Sequence, residues 1–368
     1  MKVVAFYLPQ FHRIPENDRW WGEGFTEWTN TRRAEPLFPG HYQPREPADD
    51  RYYSLLDPMV REWQAYLAER SGVDAFCYYH YWFNGRRLLE RPFEEVLRSG
   101  RPNFPFCLSW ANEPWSRSWT GHRRQILVPQ EYGNEADWAA HFDYLERAFR
   151  DPRYLKVDGK PLFVIYRPSQ VPRCGEMVSS WRRAARERGL EGLYLLHVLN
   201  TFETRPFPGF DGVIELEPMY TISHRMPALW RWRRYALGVG RVLSRPFHSL
   251  RSRFLDRVSY DRVWENILSR GPQPGAIPTY VGAFMDWDNT ARRGRDATIF
   301  EGSTPEKFRA FFRREIDRAR NVTHTDLVFV NAWNEWAEGA YLEPDQRFGD
   351  AYLRALHDSQ ASPPATSV

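Results

Sequence analysis

Cysteine is scarce: the 368 residues include three, Cys77, Cys107 and Cys174. Three scattered thiols supply neither a disulfide framework nor the Cys-x-x-Cys spacing of a zinc or redox site. Cys77 and Cys107 lie inside apolar runs, which predicts buried thiols. Long hydrophobic runs are missing too. No stretch of about 20 apolar residues exists to span a membrane. Met1 leads directly into Val3-Val4-Ala5-Phe6-Tyr7-Leu8, which Pro9 punctuates too soon for a secretory leader, so a cytoplasmic protein is expected. No Gly-x-Gly-x-x-Gly turn follows this first apolar run, where a nucleotide-binding fold would place one. Disorder is not the default for this composition, since 42% of the residues are apolar and 27% charged, as in a globular protein able to bury a core.

Aromatics, in contrast, are abundant: 16 Trp, 19 Tyr and 24 Phe. The net charge of +4 is modest but uneven. Nine arginines and a single acid, Asp256, fall between Arg225 and Arg257, and without that segment the chain would be slightly acidic.

Eight short apolar runs recur in order: Val3–Leu8, Val73–Tyr81, Phe104–Trp110, Leu162–Tyr166, Leu193–Leu199, Gly212–Glu217, Thr279–Phe284 and Leu327–Trp333. Most are followed by a helical pattern, and helix starts are legible. Asp57-Pro58, leading to Gly72, and Thr304-Pro305-Glu306 each combine a capping side chain with a proline suited to the first turn. Strands apolar on both faces and alternating with helices indicate a covered parallel sheet, and eight units indicate an α/β (β/α)₈ TIM barrel rather than an open doubly wound sheet. We expect one catalytic domain over residues 1–358, an arginine-rich, mostly helical insertion at about 221–259 between strands six and seven, and a flexible tail at 359–368.

A barrel places its active site at the C-terminal ends of the strands. What stands there is polar and aromatic. Strand one offers Tyr7, Gln10 and His12, then Glu27 and Trp28 in the following loop; strand two offers Tyr79, His80 and Trp82; strand three Trp110, Asn112 and Glu113; strand four Tyr166 and Arg167. Strand five ends near His197 and Asn200, strand six at Glu215 and Glu217, strand seven at Asp286, Trp287 and Asp288, and strand eight at Asn331, Trp333, Asn334, Glu335 and Glu338. Ten of the sixteen tryptophans (Trp20, Trp21, Trp28, Trp82, Trp110, Trp115, Trp119, Trp287, Trp333 and Trp336) fall at or beyond these ends. Flat rings stack on sugar C–H faces while carboxylates and amides bind hydroxyls. A nucleic-acid platform would interleave its rings with Lys and Arg, whereas here the interleaved charges are Glu and Asp.

Glycoside cleavage requires two carboxyl groups. Glu335 and Glu338 are three residues apart, and a helical turn beginning at Trp336 would set their Cβ atoms about 5–6 Å apart on one face. That is compatible with the roughly 5 Å carboxyl separation of retaining enzymes. Mutual repulsion would raise the pKa of one of them. Asn112-Glu113-Pro114 is a second candidate, with Glu113 as sugar ligand or acid. Asp286-Trp287-Asp288 has the form of an Asp-x-Asp metal site but at a strand end fits hydroxyl binding better. His12, His80 and His197 lack metal-ligand spacing, and no metal is expected.

The segment Val330-Asn-Ala-Trp-Asn-Glu-Trp-Ala-Glu-Gly-Ala-Tyr-Leu-Glu-Pro344 resembles the catalytic segment of glycoside hydrolase family 99, the endo-acting α-mannosidases. With Phe6-Tyr-Leu-Pro-Gln-Phe-His12, Cys77-Tyr-Tyr-His-Tyr-Trp-Phe83 and Ser109-Trp-Ala-Asn-Glu-Pro-Trp115, nearly the whole chain is still more similar to the family-99-like proteins also labelled WbsX-type glycosyltransferases, which are associated with bacterial O-antigen and capsule polysaccharides. The resemblance implies a (β/α)₈ barrel with no metal or organic cofactor. It also implies retention through an epoxide-like anhydro sugar, with Glu335 removing the 2-hydroxyl proton and Glu338 acting on the glycosidic oxygen. Ala337 departs from the Glu-Trp-His-Glu of the hydrolases, which bears on mannose specificity.

The expected partner is an oligosaccharide or polysaccharide, and no nucleic acid. Three functions follow: a retaining endo-glycosidase or transglycosidase, a glycosyltransferase of surface polysaccharide assembly, and a non-catalytic carbohydrate-binding protein. The Arg225–Arg257 region, with Trp230, Trp232, Tyr235 and Leu237 among its arginines, suits a lid, a diphosphate contact, or peripheral contact with the inner membrane.

Overall fold

The computed structural model describes residues 1–116, 125–243, 255–275 and 277–361. Trp119, residues 244–254 of the expected insertion and residues 362–368 of the expected tail lie outside them.

All eight apolar runs form strands: β1 Lys2–Tyr7, β2 Ala75–Phe83, β3 Phe106–Trp110, β4 Lys160–Ile165, β5 Tyr194–Leu199, β6 Gly212–Glu215, β7 Thr279–Phe284 and β8 Leu327–Asn331. Each pairs in parallel with its neighbour in the chain. β1 also pairs with β8, Val3 opposite Val328 and Val4 opposite Phe329, so the sheet closes into a barrel. The strands are buried along nearly their whole length because one face fills the barrel and the other lies under helices. Cys77 and Cys107 are register partners on β2 and β3, and both thiols are buried and free.

The covering helices begin and end where local chemistry dictates. α1 (Pro58–Ser71) starts at Asp57, whose side chain accepts from the Met59 N–H, and stops at Gly72, whose φ of 82° suits a residue without a side chain. α2 (Arg91–Ser99), α3 (Glu135–Phe149) and α4 (Cys174–Glu187) follow β2, β3 and β4. Between β6 and β7 come α5 (Ala228–Leu243) and α6 (Tyr260–Leu268), and α7 (Pro305–Arg318) precedes β8, with Thr304 accepting from the Lys307 N–H. α8 (Ala351–Gln360) closes the ring against α7 and α1. The insertion is not wholly helical: Asp256–Ser259 forms a strand that pairs in parallel with Thr298–Glu301.

Glu215 and Glu217 do not reach a sugar-binding mouth, contrary to the expectation from sequence. Both are inaccessible to solvent and are held by Arg270, at 3.1 and 2.5 Å, with Arg318 adding 2.7 Å contacts to Glu215 and Glu315. Burial works to raise the Glu215 pKa, but the two guanidiniums outweigh it and the net shift is downward. Because these carboxylates are buried with their counterions, removing one partner strands a charge. Arg318→Met should cost about 3–5 kcal/mol of stability, read as a shift in the urea midpoint.

Candidate active site

One cation organises the C-terminal face of the barrel. Arg292 lies on the short helix Thr290–Arg293 after β7, its side chain only 9% exposed. Its guanidinium meets Glu27 at 2.5 Å, Glu335 at 2.6 Å and Glu338 at 2.5 Å. Three loops deliver these acids. Glu27 opens the helix Glu27–Arg33 after β1, where Thr26 and Thr29 exchange capping hydrogen bonds. Glu335 and Glu338 flank a single 3₁₀ turn, Trp336–Glu338, after β8. The sequence predicts a helical turn here, and the tighter turn serves the same end, since residues three apart nearly eclipse in 3₁₀ geometry.

Three carboxyls face one guanidinium, so the cluster cannot be neutral with every acid ionised. Burial foremost raises the Glu335 pKa to about 8; Arg292 works against the rise, and Glu338 and Glu27 reinforce it. Glu27 is also raised, chiefly by burial and partly offset by Arg292. The group therefore retains a proton at neutral pH and titrates as a unit.

A second carboxyl holds the turn. Glu343 is buried and accepts from the indoles of Trp333 at 3.1 Å and Trp336 at 2.6 Å, from the Tyr53 hydroxyl at 2.7 Å and from the Gln64 amide at 2.6 Å. Burial lifts its pKa to about 7 against the pull of these donors. Trp336 also stacks on Tyr341 with ring centroids 3.8 Å apart. Glu343→Ala would orphan four buried donors and should cost about 3 kcal/mol or more in denaturant unfolding. Because the Glu335–Glu338 turn hangs from this knot, turnover should fall with it.

Asp286, Trp287 and Asp288 act from below. Asp288 accepts from Gln43 and pairs with His41, each at 2.8 Å, while Arg45 meets Asp286 at 2.8 Å. This occupies Asp288 and one oxygen of Asp286, carboxylates that the sequence assigns to sugar hydroxyls, and leaves the buried Oδ1 of Asp286 without a partner among the described residues. The Asp288 N–H donates to the Glu338 carbonyl at 2.7 Å, bracing the 3₁₀ turn. Gly339, at φ 67°, ends that turn so close to Asp288 that a Cβ would stand 2.8 Å from the Asp288 nitrogen.

The partly exposed rings beside the glutamate pair are Tyr79 and Tyr81 of β2 and Tyr166 beyond β4. Burial foremost raises all three phenols, and the charge of Glu335 contributes at each. Tyr79 and Tyr166 meet edge to face at 6.4 Å, and Tyr81, Trp115 and Trp20 continue the wall. Glu113, paired with Arg167 at 2.8 Å, also contributes to the fields at Tyr81 and Tyr166. Of the residues singled out by sequence, the structure brings together Glu335, Glu338, Glu27, Tyr79, Tyr166, Glu113 and Arg167. Sequence reasoning missed Arg292 and Tyr81 as members of this group.

Other expectations require correction. Six strand-end tryptophans, Trp28, Trp82, Trp110, Trp287, Trp333 and Trp336, are buried and serve packing. Trp82 stacks on His141, and Trp110 packs against Trp181. His80 is buried against His141, with Nε2 atoms 2.9 Å apart, and the Tyr7 hydroxyl is spent on Gln64 at 2.7 Å. Asn112 and Asn334 are backbone clamps, the first joining the loop after β3 to Arg167 and the second binding both polar groups of Leu8. Gln10 and His12 are likewise buried. A separate cavity of about 540 Å³ is bounded by His12, Trp28, Arg32 and Tyr52, and none of Arg292, Glu335 and Glu338 lines it.

Known proteins share this architecture. The barrel superposes on the family 99 endo-α-mannosidase from Bacteroides thetaiotaomicron with a TM-score of 0.54 at 13% identity, covering 97% of this chain and 96% of that one. A glycoside hydrolase-like protein gives 0.58 at 15% identity, over 97% and 93%. In sequence, the chain is 39% identical over 367 residues to the uncharacterized protein WxcX of Xanthomonas campestris pv. campestris, covering 98% of this chain and 50% of that protein. It thus spans about half the length of the curated relatives it matches. The glycosyltransferase WbsX family profile matches residues 3–356, and with that coverage the chain belongs to the WbsX family.

Proposed function

We propose that the chain is a carbohydrate-active enzyme that cleaves or transfers glycosidic bonds of a bacterial polysaccharide, such as O-antigen or capsule, with retention and through Glu335 and Glu338. The observation that carries this reading is the placement of both carboxyls on one buried guanidinium, Arg292, beside the half-exposed rings of Tyr79, Tyr81 and Tyr166. Following the resemblance to family 99, Glu335 takes the proton of the sugar 2-hydroxyl and that oxygen closes on the anomeric carbon. The glycosidic oxygen departs with a proton from Glu338. Water then opens the anhydro sugar, giving one proton to Glu338 while O2 recovers its own from Glu335. An acceptor hydroxyl replaces water in the transferase reading, which the family's description favours. The three free, buried thiols fit a reducing cytoplasmic setting.

A carboxyl raised to about 8 is a stronger base once ionised but must first lose its proton. In the base role, kcat/KM should therefore hold or climb toward pH 8 and fall above it, where the cluster no longer keeps a proton for the glycosidic oxygen; activity that persists unchanged well above 8 would contradict this pairing of base and acid. Product analysis tests the reaction itself. The protein is incubated with purified surface polysaccharides and mannans, and early products are scored for reducing ends and anomeric configuration. Retained anomers support cleavage by this pair, whereas turnover confined to nucleotide-sugar or lipid-linked donors supports the transferase.

A further inference from the structure

The helix α5, Ala228–Leu243, carries the largest exposed apolar side chains on one face. Leu229 is 83% exposed, Trp232 69%, Tyr235 67% and Val239 42%. At about 100° per residue these four positions, with Ala236, fall within an arc of about 120°. Arg231 and Arg233, both exposed, lie just outside the two edges of that arc. The opposite side anchors the helix: Arg234 pairs with Asp256 at 2.6 Å, donates to Thr298 at 3.1 Å and stacks over Trp230, while Leu237 is half-buried. Among the described residues nothing covers the outer face.

We infer that this face is a docking surface for an anionic lipid bilayer, with the helix lying in the interface plane. A Trp and a Tyr among aliphatic side chains, bordered on both sides by arginines, is the composition that seats rings at the headgroup level and guanidiniums on lipid phosphates. Charge complementarity selects this occupant. From Arg225 to Leu255 the sequence has no Asp or Glu, so an anionic surface meets no repulsion along the helix. No helix of the described residues is long and apolar enough to cross a membrane, so the contact is peripheral. The inference is independent of which reaction the barrel performs.

Flotation of the full chain with vesicles tests it, comparing phosphatidylcholine alone with an equal mixture of phosphatidylcholine and phosphatidylglycerol. The three native thiols are buried, so V239C can be labelled selectively with an environment-sensitive dye. The wild type should float with the mixed vesicles and not with the neutral ones, and the dye should shift to shorter wavelength only with the mixed ones. Arg231→Glu with Arg233→Glu, and separately Trp232→Ser with Tyr235→Ser, should each weaken binding at least about tenfold. These residues are exposed, so melting temperatures should not change. Absence of flotation, equal flotation of every variant, a dimer that dissociates in the Trp232→Ser/Tyr235→Ser variant, or a V239C thiol shielded from label without vesicles would each overturn the inference. The last two outcomes would assign the face to a second copy or to the chain's own covering segment.

Discussion

Replacing Arg292 with Met should cost about 3–5 kcal/mol of stability and eliminate measurable turnover. Three carboxyls lose their shared counterion at once, and Glu27 has no access to water that could replace it. The loss should depend on pH with a definite sign. Glu335 is already raised from 4.5 to about 8 in the folded state, so the stability it contributes is complete below about 4.5 and disappears as pH rises through 8. Removing the guanidinium that draws these pKa values down steepens that decline. The variant should approach wild-type stability at pH 5 and fall furthest behind at pH 8, as urea unfolding at both values would establish. Arg292→Lys should rescue little, because one ammonium cannot reproduce a planar fork that reaches three acids from three nitrogens.

Glu335→Gln and Glu338→Gln should each lower kcat/KM by roughly 10²–10⁴ while leaving the fold intact. The amide oxygen of Gln still accepts from Arg292, so the geometry of the turn survives. Glu335→Gln should even melt higher than wild type at neutral pH, since it removes a group whose ionisation is penalised by burial. Higher stability with lost turnover separates a reacting carboxyl from a structural one, and Glu343→Ala, predicted to lose stability first, supplies the contrast.

The barrel was legible because its eight strands are apolar on both faces and their helices carry explicit start signals, Asp57-Pro58 and Thr304-Pro305 among them. The pair Glu335 and Glu338 was legible from spacing and motif. Arg292 was not, because it lies 43 residues upstream of Glu335 at the head of a short arginine run, and nothing local distinguishes it from Arg293 or Arg295. Strand-end position also fails to say which way a side chain turns. Trp110 and Trp333 stand where a sugar platform was expected, yet their indoles donate inward, to the Trp82 carbonyl and to Glu343. Glu215 and Glu217 looked like mouth acids because their partners, Arg270 and Arg318, belong to elements about 50 to 100 residues away in the chain. Burial of a charge is decided by tertiary pairing that no single-segment pattern records.

The measurement closest to the central claim is release of new reducing ends from bacterial surface polysaccharide by wild type, Glu335→Gln and Glu338→Gln side by side, each variant first shown to unfold cooperatively. The pair held by Arg292 predicts turnover by the wild type and its loss in both folded variants. Turnover that survives either substitution would contradict it and move the chemistry elsewhere on the barrel.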